Sequence, residues 1–219
     1  MKKELKNDKD ANIKLYDKFY KDGGWSHEPM DWRKAVARIN ILPQIGNWSS
    51  KKVLDIGCGM GQDASVIAED GHYVTGIDLS SEGIEYAKVH FPSVKFICDD
   101  LAKHEFVEGE FDVIFSRGMS WYHYELSGIN RNGVDVLKET NRLFKFLKKG
   151  GIFILGIATH FDGTVRPGGQ TLNNKLEDYT GLFSQVGEII HVSDWAGRKL
   201  KTKKDTEGRK NIYVITKKC

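Results

Sequence analysis

Three glycines spaced two apart, Gly57, Gly59 and Gly61, follow an apolar run that ends in an acid, in the stretch VLDIGCGMGQDA from Val53 to Ala64. That pattern is one of a buried strand, a tight loop and the start of a helix. Glycine tolerates positive φ and carries no Cβ, so a ligand can lie directly on such a loop with backbone amides pointing at it. A loop of this kind past the carboxyl end of a strand is where nucleotide-like cofactors sit in open α/β sheets. The spacing selects among them. A dinucleotide fingerprint needs a third glycine at position 62, where this chain has Gln62, so nicotinamide chemistry is disfavoured. A simple tight turn is the other reading of the same residues.

The elements around the loop recur in the order that a doubly wound sheet requires. HYVTGIDLS forms a second apolar strand ending in Asp78, about twenty residues past the loop, where an acid can accept hydrogen bonds from both hydroxyls of a ribose. Asp78 also suits the N-cap of the helix that follows, although Ser80 or Ser81 fits that place better. A third strand, VKFICDDL, ends in the acidic pair Asp99 and Asp100, and a fourth, FDVIFS, runs from Phe111 to Ser116. The fifth, GGIFILGIAT, follows a KKGG turn that is expected to close the helix VLKETNRLFKFL with basic residues and a glycine C-cap. Two further strands, GEIIHVSDW and NIYVITKK, flank the basic segment GRKLKTKKDTEGRK as a terminal hairpin.

From about Lys51 to Thr159 the chain resembles the class I methyltransferases that use S-adenosylmethionine, through the acid-x-G-x-G-x-G loop of Asp55, Gly57, Gly59 and Gly61 and the strand ends that follow. The resemblance implies an α/β fold: a doubly wound, mostly parallel seven-stranded sheet with a terminal antiparallel hairpin and N-terminal lid helices. It also implies S-adenosyl-L-methionine as cofactor and S-adenosyl-L-homocysteine as product. The cofactor would lie on Asp55, Gly57, Cys58, Gly59 and Gly61, with Asp78 and Leu79 at the ribose. Asp99, or else Asp100, would take the exocyclic amine of adenine, and the next backbone amide, in the Asp100–Leu101 stretch, would meet a ring nitrogen. Ser116 and Arg117, past the fourth strand, would border the methionine part. Cys58 reads as a compact filler with no chemical role.

The fourth strand is not followed by the Asn/Asp-Pro-Pro-aromatic motif of amino methyltransferases of DNA, RNA and protein glutamine, and no Pro-Cys supplies a cytosine-methylating nucleophile. A small-molecule methyl acceptor, methylated on oxygen or nitrogen, is the leading expectation. An RNA or protein methyltransferase, and a protein that binds the cofactor without turnover, are the alternatives. Displacement at a sulfonium mainly requires nucleophile and methyl to be brought into line, and orientation alone can supply on the order of 7–11 kcal/mol. A base is needed only where the nucleophile holds its proton tightly. His123, after the fourth strand, and His160, after the fifth, are the candidate catalytic residues, each otherwise a hydrogen-bonded packing group. Arg117 suits a carboxylate or phosphate of the substrate, the cofactor's own carboxylate, or an ion pair. Trp121, Tyr122 and Tyr124 offer a flat apolar wall, and Tyr16, Tyr20, Trp25 and His27 a lid over it, unless these aromatics only glue a helix to the sheet.

At 219 residues the chain suits one domain: lid helices over 1–50, a cofactor-binding core over 51–159, and a substrate-side loop, helix and hairpin over 160–219. Three dispersed cysteines without a C-x-x-C pair argue against a disulfide framework or a metal site. No run approaches the roughly twenty apolar residues of a membrane helix, and the N-terminus lacks the features of a secretory signal, so a cytoplasmic location without membrane contact is expected. The net charge of +3 is mild, and the basic hairpin tip lacks the aromatics that stack on bases, so it reads as a solvated surface more readily than as a nucleic-acid site.

Overall fold

Apolar runs that the sequence marks as strands pair into one sheet, and amphipathic stretches between them cover both of its faces. The computed structural model describes residues 9–24, 28–46, 49–128, 132–158, 174–201, 205 and 211–219. In chain order the elements are α1 (Lys9–Lys21), α2 (Met30–Asn40), α3 (Leu42–Ile45), β1 (Lys52–Ile56), α4 (Gln62–Glu69), β2 (Tyr73–Asp78), α5 (Ser81–His90) and β3 (Lys95–Cys98). They continue with β4 (Phe111–Arg117), α6 (Ser120–Tyr124), α7 (Val136–Phe146), β5 (Leu147–Ala158), α8 (Leu176–Phe183), β6 (Glu188–Asp194) and β7 (Asn211–Lys217). The seven strands lie in the order β3-β2-β1-β4-β5-β7-β6. All are parallel except β7, which runs antiparallel to both β5 and β6. The expected doubly wound sheet with its terminal hairpin is therefore present. The winding reverses between β1 and β4, so the loops leaving their carboxyl ends diverge and open a crevice there.

Because successive side chains of a strand point to opposite faces, the continuous apolar runs feed two cores. Leu54, Ile56, Ile114, Phe153 and Leu155 pack against Leu143, Phe144, Tyr179 and Phe183 on one face. Their neighbours Val53, Val113, Phe115 and Ile154 pack against Val36, Ala37, Ile67 and Ile84 on the other. Leu176, Tyr179, Leu182 and Phe183, spaced as expected for a helix, are all buried in α8. Among the described residues no helix is long and apolar enough to cross a membrane.

One expected turn is absent. KKGG does not close α7 with a glycine cap: the helix ends at Phe146, Leu147 is extended, and β5 starts at once. Leu147 is fully buried and pairs with Phe111, and burying it draws the chain straight into the ladder. The register then shifts between Phe111 and Val113. The freed carbonyls find a cation instead of a turn, since Lys218 Nζ donates to Leu147 O at 2.7 Å and to Lys145 O at 3.3 Å. Such a side-chain donor at a helix C-terminus does the work that backbone amides do in a glycine cap.

Ser80 is the N-cap of α5, its Oγ accepting from Gly83 N at 3.2 Å and donating to Asp17 of α1 at 2.6 Å. One hydroxyl therefore starts α5 and docks α1. Ser80→Ala should lower stability by about 1 kcal/mol from the cap alone, a fall in Tm of roughly 2–4 °C for a domain of this size. Thermal unfolding followed by circular dichroism measures it.

Candidate active site

Each glycine of the loop sits at positive φ: Gly57 at 68°, Gly59 at 52° and Gly61 at 77°. The turn is held from outside. Gly57 N and Cys58 N both donate to Ile77 O, at 2.9 and 3.2 Å, tying the loop to the end of β2. Gly59 N turns instead to Asp78 Oδ2 at 2.9 Å, while Ser80 N donates to Asp78 Oδ1 at 2.9 Å. The loop is also packed too tightly for larger residues. A Cβ on Gly61 would stand 2.6 Å from Phe96 Cζ, and one on Gly76 would stand 2.8 Å from Cys58 Sγ. Cys58 thus fills the space beneath the loop, and burial pushes its thiol well above the ordinary range. Burial also raises Asp78, against the opposing pull of its backbone hydrogen bonds. Asp55 is raised further, by burial and then by nearby Asp63, with Arg117 working the other way.

Above the loop lies a cleft of two lobes. The wide one, about 590 Å³, reaches from Asp55, Gly57, Cys58 and Gly59 to Arg117, His123, Tyr124 and Trp195. The narrow one, about 90 Å³, is bordered by Asp78, Leu79, Asp99, Asp100, Leu101 and Trp121. Tyr16, Tyr20, Gly57, Gly118 and Ser120 border both. The two tyrosines of α1 therefore stand at the neck, with the Tyr20 ring against Gly59 and Gly83. A ligand that spans the lobes passes under them.

Most residues singled out in the sequence meet at this cleft, and three do not. Ser116 is fully buried and donates to Ile56 O at 3.2 Å, so it braces β4 against β1 and borders neither lobe. Tyr122 also lies in the core, its hydroxyl 3.2 Å from Thr140 Oγ1 and its ring against Phe153 and Phe183. The single turn of α6 explains this, since it directs Trp121 and Tyr122 inward and leaves His123 and Tyr124 at the wide lobe. Gly61 borders neither lobe and serves as the N-cap of α4. At the end of β3, Asp99 has both oxygens engaged, Oδ1 by Asp100 N and Oδ2 by His104 Nδ1, each at 2.7 Å. Trp25, His27 and His160 lie outside the described residues.

The largest feature not foreseen is a ring of four charges on the wall of the wide lobe. Arg33 contacts Glu28 at 2.7 Å and Asp63 at 3.2 Å, and Arg117 contacts Asp63 at 2.7 Å and Glu28 at 3.1 Å. The Arg117 guanidinium also lies 5.5 and 5.7 Å from the ring centroids of Trp32 and Trp195, which are 5.1 Å from each other, so the two indoles form one aromatic patch beside it. Despite burial, the two acids hold its guanidinium more firmly protonated than usual. Of the roles open to Arg117, the ion pair is thus realised. Asp31-Trp32-Arg33 carries no local signal for the ring as a whole, because Asp63 and Arg117 are tens of residues away even though Glu28 is near. His123 is different: its Nδ1 is buried with no hydrogen-bond partner among the described residues, and burial lowers its pKa to about 4.

Comparison with known proteins agrees with this fold. The sequence model of a family described as "Methyltransferase domain" matches residues 53–151. Phosphoethanolamine N-methyltransferase 1 of Triticum aestivum is 36% identical over 158 residues, covering 69% of this chain and 28% of that one. An uncharacterised methyltransferase of Synechocystis is 27% identical over 164 residues, covering 75% and 71%. Against other curated relatives the span is shorter, about half the length of one from Bacillus subtilis, at 51%. Among solved structures, the 1,6-didemethyltoxoflavin-N1-methyltransferase of Burkholderia thailandensis, which holds 1,6-didemethyltoxoflavin and S-adenosylhomocysteine, superposes with a TM-score of 0.68 at 20% identity, covering 95% of this chain and 88% of that one. A TehB-like methyltransferase from Corynebacterium glutamicum superposes with a TM-score of 0.63 at 19% identity, covering 96% and 100%.

The lowered pKa of His123 has a consequence for stability. Between pH 6.5 and 4 the unfolded chain takes up a proton on this imidazole and the folded chain does not, so acidification through that window favours unfolding. By pH 5 the loss is about 2 kcal/mol relative to pH 8. His123→Gln should flatten the fall by that amount. Chemical denaturation at both pH values reads the difference, with His72 and His191 present in both proteins.

Proposed function

Through residues 53–151 the chain belongs to the class I S-adenosylmethionine-dependent methyltransferases, and on that premise we propose that it transfers a methyl group to an oxygen or nitrogen of a small molecule. The observation that carries the proposal is the Asp78 carboxylate, fixed by Gly59 N and Ser80 N between a left-handed glycine loop and the narrow lobe. The amides of Ser80, Gly59 and Leu79 orient its carboxylate, which keeps acceptor capacity for a ribose hydroxyl. The site therefore fits the cofactor. Bound there, S-adenosylmethionine supplies a methyl group already activated by its sulfonium.

The chain's own residues bind and orient. Asp78 and Leu79 hold the ribose, and Leu101 borders the adenine. Asp99 or Asp100, which both border the narrow lobe, takes the adenine amine. Asp55, Gly57, Cys58 and Gly59 carry the methionine part toward the wide lobe, where the ring of Arg33, Glu28, Asp63 and Arg117 closes the wall. Tyr16, Tyr20, Tyr124 and Trp195 give the acceptor flat apolar surfaces, and Trp121 closes the narrow lobe. His123, uncharged at neutral pH, is placed to accept a proton from a hydroxyl or N–H. The toxoflavin and phosphoethanolamine enzymes, named for small acceptors, support the substrate class.

Calorimetric titration with S-adenosylhomocysteine, with NAD as control, tests the cofactor site. Binding of the thioether ligand alone is expected. Asp78→Ala should weaken it at least about tenfold, since a hydrogen bond to a charged group contributes roughly 1.5–3 kcal/mol. Preference for NAD, or full affinity in the variant, would overturn the assignment.

A further inference from the structure

A five-residue helix such as α6 has almost no intrahelical hydrogen bonds of its own, and the carbonyls of its last residues need partners from elsewhere. Two of them, at Tyr122 and His123, are met by one side chain far along the sequence. Asn174 is 1% exposed, and its Nδ2 stands 2.9 Å from His123 O, 3.1 Å from Tyr122 O and 3.1 Å from Tyr179 Oη. Ser127 Oγ lies 2.6 Å from both His123 O and Asn174 Oδ1 and shares its one proton between them. With three oxygens around one end of the carboxamide and a hydroxyl at the other, only one orientation of the amide satisfies its neighbours.

We infer that Asn174 is a positioning residue for His123: its carboxamide fixes the C-terminal carbonyls of α6 and thereby the direction in which the imidazole faces the wide lobe. The inference rests on the reading of His123 given above. Among the described residues no hydrogen bond is made to the ring, and its buried Nδ1 has no partner. The ring is therefore directed by its backbone and packing alone, and the backbone at residue 123 is held by Asn174 and Ser127. An asparagine suits this place. Aspartate would set a carboxylate against two carbonyl oxygens, and leucine would leave Tyr122 O without this donor and His123 O with Ser127 alone. Asn174 also ties α6 to Tyr179 of α8, so the candidate proton acceptor and the substrate-side helix move as one unit.

The tether also keeps the ring buried. Burial is the single cause of the lowered His123 pKa, although Glu28, Arg33, Asp55, Asp63 and Arg117 line the same lobe and Tyr124 is adjacent. Loosening the backbone lets water reach the imidazole, whereas a merely structural asparagine would lower Tm and leave the titration alone.

The test is an NMR titration of the full-length protein labelled at histidine, with the His123 ring assigned by its loss in His123→Gln. In the wild type the ring should titrate near 4. In Asn174→Ala its pKa should rise by about one unit or more toward the solvated value, with affinity for S-adenosylhomocysteine within a few-fold of wild type. Ser127→Ala, which removes the second hydrogen bond to His123 O, should move it in the same direction by less. Folded variants that titrate as the wild type does would overturn the inference; if Asn174→Ala fails to fold, an unmoved His123 in Ser127→Ala overturns it alone. Affinity for S-adenosylhomocysteine in the same samples reads the cofactor site and not the tether, so failure of wild-type binding would count against the function proposed above.

Discussion

The hydrogen bond from Gly59 N to the Asp78 carboxylate is the constraint on which the site depends. A loop with three residues at positive φ has no repeating backbone pairing of its own, and ordering such residues is entropically costly. Its amides must therefore be taken up by the neighbouring strand end, and they are, by Ile77 O and by Asp78. That arrangement requires β2 beside β1 in parallel register, with Ile56 opposite Ile77, so that both carboxyl ends arrive at one level. The requirement propagates further. Gly76 must lack a side chain for Cys58 to sit beneath the loop, and Phe96 of β3 must close the space behind Gly61.

A second constraint comes from the charged ring. Two guanidiniums and two carboxylates are withdrawn from water together, and their mutual attraction roughly offsets the cost of desolvating them. Such a group contributes little net stability as a set. Losing one member is another matter, because the unpaired charge stays buried, at a cost of about 3–5 kcal/mol. The ring therefore acts as a specificity device: Arg33 of α2, Asp63 of α4 and Arg117 at the end of β4 form it only when the N-terminal helices sit against the loop. Trp32 and Trp195, in contact with each other beside Arg117, extend the same lock to the terminal hairpin.

What the sequence made legible follows the range of the interactions. The glycine loop, the acid at the end of β2, the parallel strands and the hairpin are written in runs of a few residues, and the structure contains them at those places. Ser80 as the cap of α5 was legible for the same reason. Features that depend on distant partners were not. Nothing near Tyr122 signals that one helical turn will direct it into the core against Phe183, and nothing near Arg117 signals Glu28. KKGG carries every local mark of a turn, yet the burial of Leu147 and the cation of Lys218 override it. Asn174 carries no local mark at all.

The neutrality of His123 bears on how the wide lobe can hold a cationic ligand. At an effective dielectric constant near 20, two like unit charges about 5 Å apart repel by roughly 3 kcal/mol. A protonated imidazole in this lobe would impose a penalty of that order on any sulfonium placed there, and the ring of Arg33 and Arg117 offers no relief beyond its own two acids. Burial removes the penalty by holding His123 uncharged through the neutral range. The same burial leaves the imidazole with a nitrogen whose lone pair is available to a hydroxyl or an N–H. On the function proposed above, exclusion of water from α6 thus lowers electrostatic resistance to a sulfonium and keeps the imidazole unprotonated, and it does so only while the carbonyls of that short helix remain paired.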